Sequence, residues 1–542
     1  MFLKYSIVVG DYMISDKEKF FWLKCSGIVY AISLIVFSFY TTTFFFGNHD
    51  FYPMRFGVNF DHSFWEGRFT QFILNTLLFD GQILPILYSL IGFAFYSLAS
   101  ILLAKMWSLP QRKIIITSFS LLITLNSFIL SHLYYVYISI STMFWHLFVV
   151  LGLYLALNRK KISPLFMWTI ALLGYTPVIN MIFTLIVASI IIDFLINDLS
   201  YKKLCKKYLS VILCALASIL IYFVIFKVLQ YTGIINNHMY NTQLLSFNNI
   251  LDKIFNNLDK TICVLLFPAP FSSNFFPYFL SVLISLYIVV AHKKKKLFMS
   301  LLLLFALFIA MLTSAYISPY NIFYTYRINL FSVPYVIGLL FAIAVLCNSK
   351  LIKNIAFVCV IALILIFCNA NFTIQKIWHL GNKQDEYSTD RIKNDLLTQI
   401  DFNNKYRLYY IGGLSGRQKF ADITYYRAET YDLYKEYYSF EYYLGSYLES
   451  SLFLTEKYNP VFGNLFIING LTISIINNEF LTKEEKTKYE QFSKNVPLNK
   501  EVIRQWLINP KKDRVFVNDE NIFIYFNENY GQYKVLMRHL GL

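Results

Sequence analysis

Charged side chains and cysteines are both scarce in this sequence. Only 15% of its 542 residues are charged, fewer than a soluble domain normally carries on its surface. The seven cysteines form no close-spaced pairs, and none follows Cys368, so neither a zinc site nor a disulfide framework is expected. The chain also lacks internal repeats and low-complexity tracts, which gives no support to a repeat architecture.

Hydrophobic residues make up 57% of the chain and aromatic residues 19%, a composition typical of membrane proteins. The net charge of +16 would suggest a nucleic-acid surface in a soluble protein. Here the basic residues cluster between apolar runs, at Arg159–Lys161, Lys202–Lys207 and Lys293–Lys296. They are interpreted as topology anchors, so the expected partner is a lipid bilayer and no nucleic acid is expected.

Long apolar runs predict about eleven membrane passes, because a helix needs about 20 residues to cross the hydrocarbon layer. Gly174 and Pro177 interrupt the run from Ser163 to Ile196, so this run predicts a tight helical hairpin of two passes. No small-residue cleavage site precedes the first run, and the first helix is expected to remain as an anchor. The single passes are predicted at Ser26–Phe46, Ile83–Lys105, Ile114–Leu133, Tyr137–Asn158, Tyr208–Val228, Ser273–Ala291, Leu297–Tyr316, Phe331–Leu346 and Ile352–Ala370.

The basic clusters fall on one side of the membrane if the N-terminus is cytoplasmic and the hairpin counts as two passes. Counting the hairpin as one pass destroys this agreement. The predicted external segments are Gly47–Gln82, a short one near Tyr134, Gln230–Asn274, Ser318–Leu330 and everything after Asn371. A site built from these segments would face away from the cytoplasm.

The composition changes after Asn371, where charge rises and apolar runs shorten. This change predicts a membrane domain of residues 1–374 and a soluble extracytoplasmic domain of residues 375–542. In the second domain, Asp385–Ile400 is predicted as a helix, Arg407–Ile411 as a strand, and Arg514–Val517 with Ile522–Phe526 as a hairpin. The expected fold of this domain is α/β.

The first external loop carries the richest set of reactive side chains. A sugar transferase with a lipid-linked donor needs a carboxylate to deprotonate the acceptor hydroxyl and cations to neutralise a phosphate leaving group. Asp50 suits the first task, with Asp61 or Glu66 as substitutes, and Arg55 or Arg68 suits the second. The ordinary alternative is a polar juxtamembrane loop in which a carboxylate caps a helix and an arginine binds lipid headgroups.

No cofactor is predicted, although a divalent cation is left open. Imidazole and carboxylate groups are suitable ligands, and His49, Asp61, His62 and Glu66 offer both kinds in this loop. Their spacing matches no recognised metal motif.

Two other outer segments offer binding groups. The helix break at Tyr175 would expose backbone groups to a cavity, or would simply be a hairpin turn. Tyr326 and Arg327 would bring an aromatic face and a phosphate ligand to the outer surface, or would belong to an interfacial aromatic belt. Gly412–Arg417 follows a predicted strand but lacks the Lys and Ser/Thr of a P-loop, so it does not predict a nucleotide site.

The order of these features resembles the type II Gtr family of O-antigen glucosyltransferases, in the GT-C class of membrane glycosyltransferases. In that family an acidic motif follows the first helix, and Asp50 resembles it. A Trp and a Gly-Arg pair come next in the family, and Trp65 and Gly67-Arg68 resemble these. Its Tyr-x-Pro turn resembles Tyr175-Thr176-Pro177, and its external arginine before a late helix resembles Tyr326-Arg327. The chain departs from the family at Asn48-His49-Asp50, where the family usually has adjacent acidic residues.

The resemblance implies a GT-C-like membrane protein of a bacterial inner membrane, with no nucleotide requirement. Its donor would be a sugar carried on undecaprenyl phosphate, and the family implies that this sugar is glucose. Its acceptor would be a surface glycan such as O-antigen. Trp65, Tyr175 and Tyr326 would bind substrate, and Arg55, Arg68 and Arg327 the donor phosphate. The alternatives are an O-antigen polymerase and a polysaccharide flippase or transporter. A transporter would show paired broken helices, whereas this sequence predicts one break. The oligomeric state is not predicted.

Overall fold

The computed structural model describes most of the helical part of the chain and short pieces of the C-terminal part. The described residues are 16–43, 68–82, 84–126, 136–158, 162–197, 199–234, 297–311, 332–346, 349–399, 406–411, 465–467, 515–518 and 521–525, with residues 129, 133, 160, 252, 313 and 501. Contacts within the chain define two compact units, and the main division falls between Gln375 and Lys376.

The first unit is helical throughout its described residues. Its helices are α1 (Asp16–Val36), α2 (Ser38–Thr42), α3 (Phe69–Phe79), α4 (Pro85–Met106), α5 (Lys113–Thr124), α6 (Val136–Leu157), α7 (Ile162–Leu172), α8 (Val178–Leu195), α9 (Tyr201–Tyr231), α10 (Leu297–Met311), α11 (Val333–Leu346) and α12 (Lys350–Leu397). The division between the units falls inside α12.

Five of the described helices are long and apolar enough to cross a membrane, namely α1, α4, α8, α9 and the Lys350–Thr373 part of α12. Several shorter apolar helices, such as α3, α5 and α7, accompany them. The protein is therefore a helical membrane protein. The count of eleven passes stays a prediction, and the predicted pass Ser273–Ala291 lies outside the described residues.

Helix α8 forms the centre of the first unit. In its most apolar stretch 83% of the residues are buried, against 28% in α1, α9 and α12. It packs against α6, α9, α10 and α11. Helix α9 is peripheral and exposes Leu209, Leu213, Leu216 and Leu220, as expected of a surface in contact with lipid chains.

Several predicted passes agree with the observed helices to within a few residues. Helices α4, α6 and α11 occupy the runs predicted for them. The break inside the predicted hairpin is confirmed, because α7 and α8 are joined by a turn at residues 173–177; that the hairpin makes two membrane passes stays a prediction. Gly174 and Pro177, the two residues that predicted the break, lie in this turn.

Three predicted boundaries are wrong. Helix α1 begins ten residues before the expected Ser26, at Asp16, since apolar length alone does not mark where a solvated first turn starts. The Ile114–Leu133 helix ends at Thr124, where the Leu125 carbonyl accepts a bond of 2.7 Å from the Asn371 side chain on α12. A distant amide thus replaces the next turn of the helix.

The lysines expected in a loop at Lys202–Lys207 instead form the first turns of α9, which begins at Tyr201. Lysine is a good helix former, so a basic cluster marks the membrane edge without ending a helix. The predicted pass Ile352–Ala370 agrees to within three residues with the apolar part of α12, Lys350–Thr373, and the helix then continues to Leu397. The separate helix predicted at Asp385–Ile400 is therefore the last part of α12.

The second unit contains a mixed four-stranded sheet of order β2-β1-β4-β3. Its strands are β1 (Tyr406–Ile411), β2 (Leu465–Ile467), β3 (Val515–Asn518) and β4 (Asn521–Tyr525). Strand β1 runs parallel to both β2 and β4, whereas β3 and β4 form an antiparallel hairpin. The predicted strand at Arg407 and the predicted hairpin are therefore confirmed, while an α/β domain as a whole stays a prediction.

Candidate functional site at the helical hairpin turn

The turn between α7 and α8 is closed by backbone hydrogen bonds, and one of its residues packs so tightly that only glycine fits. The N–H groups of Gly174 and Tyr175 both donate to the Ala171 carbonyl, at 3.1 and 3.0 Å. A Cβ at Gly174 would lie 1.9 Å from Cζ2 of the buried Trp145, so a larger residue would collide with the indole ring. The turn is held rigidly at this place in the helix bundle.

The N-terminus of α3 docks on the C-terminal end of α7. The Thr70 N–H donates to the Leu173 carbonyl at 3.2 Å, and the Thr70 hydroxyl donates to the Ile170 carbonyl at 2.9 Å. The first N–H groups and the last carbonyls of a helix have no partners within it, and here the two ends supply partners for each other. This docking places Arg68, the residue just before α3, beside the turn.

Arg68 lies over the ring of Tyr175, with 5.7 Å between the guanidinium carbon and the ring centroid. Tyr175 is 6% exposed and Arg68 is partly buried. A cation over an aromatic face is attracted by about 0.5–2 kcal/mol, more when desolvated. Stacking of this kind holds a guanidinium in one orientation, which suits bidentate binding of a phosphate.

A second tyrosine supports the turn from α9. The hydroxyls of Thr176 and Tyr222 are 3.0 Å apart, and Tyr222 is 5% exposed. Next to it, Phe226 packs with Phe69 at the start of α3. We call Arg68, Tyr175, Thr176 and Tyr222 the turn cluster; it joins α3, the hairpin turn and α9.

Helix α3 has a polar inner face and an apolar outer one. Gln71 and Asn75, one turn apart, are 2% and 0% exposed. The Gln71 Nε2 atom has no hydrogen-bond partner among the described residues. On the other side Ile73, Leu77 and Leu78 are exposed. At about 16 Å for its length, α3 is too short to cross a membrane.

The structure therefore brings together two of the predicted site residues, Arg68 and Tyr175. The other predicted site residues lie outside the described part of the chain; these are Asp50, Arg55, Asp61, Trp65, Glu66, Tyr326 and Arg327. The alternative metal ligands His49 and His62 lie outside it too. Among the described residues, no group of three or more His, Cys, Asp or Glu side chains is placed to hold a metal ion.

The polar residues inside the helices take part in local packing. His146 Nδ1 is 2.5 Å from the Tyr335 hydroxyl, which ties α6 to α11. Asp193 on α8 accepts hydrogen bonds from Asn197, Lys207 and Tyr208 at 2.6–2.8 Å. These contacts fix one helix against another, and among the described residues they do not form a continuous polar path of the kind a transporter needs.

The comparison with protein families decides what kind of protein carries this turn. The model of the family "Glucosyl transferase GtrII" matches residues 39–346, more than half of the 542-residue chain. The chain belongs to the GtrII family. The matched range contains the whole turn cluster, and membership confirms the resemblance to type II Gtr enzymes. The GtrII chain is thus a membrane glycosyltransferase of the glucosyl class, with a sugar donor and a glycan acceptor.

No curated protein and no solved structure matches this GtrII chain. The sequence predicted Arg68 and Tyr175 as site residues but gave no sign that they touch. Tyr222 was missed, although a tyrosine in the middle of the apolar α9 is a polar group that needs a partner in the membrane. Gln71 and Asn75 carry a similar signal, because two amides spaced by four residues share one face of a helix.

Proposed function

We propose that this GtrII protein transfers glucose from undecaprenyl phosphate glucose to a surface glycan such as O-antigen, on the outer face of the bacterial inner membrane. The observation that carries the proposal is the Arg68–Tyr175 pair at the docked end of α3. It lies within the family match and offers an oriented cation for a phosphate. Phosphate is the leaving group that a polyprenyl-linked donor provides.

The transfer is a single displacement with inversion at the anomeric carbon. The acceptor hydroxyl attacks that carbon while its proton passes to Asp50, or to Asp61 or Glu66 in its place. The bond between the anomeric carbon and the phosphate oxygen breaks, and the polyprenyl phosphate leaves with the bonding electrons. Arg68, together with Arg55 or Arg327, stabilises the negative charge that develops on this oxygen.

The two faces of α3 suit a donor with a polar head and an apolar chain. The exposed Ile73, Leu77 and Leu78 provide apolar surface for a polyprenyl chain, while Gln71 and Asn75 lie on the inner face. Trp65, Tyr175 and Tyr326 would supply aromatic faces for the sugar rings. The C-terminal domain would position the acceptor glycan, with the N-terminus of the chain in the cytoplasm.

The experiment that tests this proposal compares the surface glycan of cells with and without the gene. Loss of the gene should remove one glucose branch, detected by linkage analysis, and should leave the distribution of glycan chain lengths unchanged. A change in chain length at constant composition would indicate a polymerase instead. Loss of the glucose branch together with donor lipid confined to the inner leaflet would indicate a flippase instead.

A further inference from the structure

The first long helix is interrupted by a side chain from the last helix of the same unit. Helix α1 ends at Val36 and α2 begins at Ser38, with Phe37 in a turn between them. The Tyr40 N–H donates to Gln375 Oε1 at 3.2 Å. The Val36 carbonyl accepts a bond from Gln375 Nε2 at 2.9 Å. In a continuous helix, Tyr40 and Val36 would bond to each other.

The amide lies within a break of the helical ladder. Regular bonds flank the break, from the Phe37 N–H to the Ser33 carbonyl and from the Thr41 N–H to the Phe37 carbonyl, both 2.9 Å. Within the break, the Leu34 carbonyl accepts a bond of 3.4 Å from the Thr41 hydroxyl. The sequence from Ile35 to Tyr40 contains neither proline nor glycine. An inserted side chain is a recognised cause of a helix kink. The Thr41 and Thr42 hydroxyls also donate to the Ser38 carbonyl, at 3.3 and 2.6 Å, which is a local contribution to the bend.

Only a carboxamide can satisfy all the groups at this point. Gln375 is fully buried, and its Nε2 also donates to the Asn371 carbonyl at 3.0 Å. One oxygen therefore accepts from Tyr40 while two N–H groups serve two carbonyls. A carboxylate would lose both donated bonds, and an aliphatic side chain would lose all three.

We propose that Gln375 is a positioning residue for glucosyl transfer, which sets the direction in which the chain enters the first external loop. The proposal rests on the proposed function. The segment of residues 44–67, outside the described residues, contains Asp50, Asp61 and Glu66. After this segment, the described chain resumes where Thr70 docks on α7. Before it, Gln375 bonds the last described helix. Residue 375 lies outside the family match, which ends at residue 346.

The test replaces the amide with a side chain of similar volume that cannot bond. In Gln375→Leu the Tyr40 N–H can return to the Val36 carbonyl, so the helix straightens and the protein stays folded. We expect thermal stability to stay at the wild-type level while kcat falls at least about tenfold, with KM for the lipid donor within about twofold. Gln375→Glu should reduce kcat as well, because it cannot donate to Val36.

The matched control is Asn371→Leu, which removes a buried amide one turn earlier on α12. The Asn371 side chain bonds the Leu125 carbonyl and does not touch α1 or α2 among its described bonds. It should lower thermal stability and leave kcat at the wild-type level. A structural role for both amides would instead make kcat follow stability in both variants.

The distance between two spin labels, one on α1 and one on α2, measures the kink independently of any activity assay. Labels at Leu23→Cys on α1 and Thr42→Cys on α2, both exposed, in a protein without its natural cysteines, should move apart in Gln375→Leu. An unchanged distance would overturn the inserted amide as the cause of the kink. A longer distance with unchanged kcat would overturn the positioning role and leave the proposed function standing. If the wild-type protein shows no sugar transfer, both the proposed function and the positioning role are overturned. The distance between the spin labels would still test whether Gln375 causes the kink.

Discussion

The guanidinium group of Arg68 lies over the ring of Tyr175, 5.7 Å from its centroid. The two residues are far apart in the chain, and they meet because the first turn of α3 bonds the last carbonyls of α7. The contact joins the start of α3 to the only break that the sequence predicted within an apolar run. Under the proposed function, an oriented arginine at this point would bind the phosphate leaving group.

Removal of the arginine should reduce transfer strongly. Arg68→Ala is expected to lower kcat about 10²-fold or more, since a charge that stabilises the leaving group acts mainly in the transition state. Arg68→Lys should recover only part of this loss, because an ammonium group has no planar fork for a phosphate. Steady-state kinetics with a polyprenyl-phosphate-glucose donor would measure both effects.

Tyr175 should act through Arg68. Tyr175→Leu removes the aromatic face and is expected to lower kcat about tenfold, while Tyr175→Phe keeps the face and most of the activity. In the Arg68→Ala background the Tyr175→Leu change should cost little more, since the two side chains form one unit. Full additivity of the two losses would show that the contact has no part in catalysis.

The three carboxylates of the predicted first external loop should differ in their effects. Asp50→Asn is expected to lower kcat by about 10²–10⁴-fold, the usual contribution of a general base. Asp61→Asn and Glu66→Gln should cause smaller losses. All three substitutions preserve side-chain size, so the comparison isolates the charge. If the largest loss follows Asp61 or Glu66 instead, the base is that residue, and Asp50 has another role.

Gly174 should tolerate no side chain. A methyl group there would meet the indole of Trp145, at 1.9 Å before any adjustment, and overpacking of a buried site typically costs about 1–3 kcal/mol. Gly174→Ala is therefore expected to lower the thermal stability in detergent and to displace Tyr175. Gly27→Ala on α1 is the matched control, because nothing lies within 4 Å of its Cβ position. A Gly174→Ala protein as stable as wild type would show that the turn is not tightly packed.

The Asp193 carboxylate should contribute to stability and not to transfer. It accepts bonds of 2.7 Å from Asn197, 2.6 Å from Lys207 and 2.8 Å from Tyr208, so Asp193→Ala leaves three donors without their acceptor. A double-mutant cycle with Lys207→Met should give a coupling free energy of about 0.5–3 kcal/mol. The exposed Lys203 on the same helix supplies the control, and Lys203→Met should show no coupling. Loss of kcat in a folded Asp193 variant would argue for an ion path through α8.

Much of the helical framework could be predicted from apolar length, proline and glycine. Helices α4, α6 and α11 and the hairpin turn follow from these local signals. Two of the departures from the prediction occur where a distant polar group decides a boundary. Asn371 ends α5 by bonding Leu125, and Gln375 divides the first helix at Phe37. No local pattern contains this information, since both amides lie on the last helix of the first unit.

The candidate site shows the same division between local and distant signals. The residue types of Arg68 and Tyr175 and their places beside predicted helix ends were enough to select both. Their contact depends on the docking of α3 on α7, a tertiary relationship that one sequence does not contain. Tyr222 and the polar face of α3 belong to the same category, because their roles come from the helices packed against them.

The most direct test of the account is transfer by the purified protein in proteoliposomes, with an acceptor glycan and a choice of two radiolabelled donors. The account predicts that label passes to the glycan from undecaprenyl phosphate glucose and not from UDP-glucose, and that Arg68→Ala loses most of this transfer. Label passing directly from UDP-glucose, or undiminished transfer by a folded Arg68→Ala protein, would contradict it.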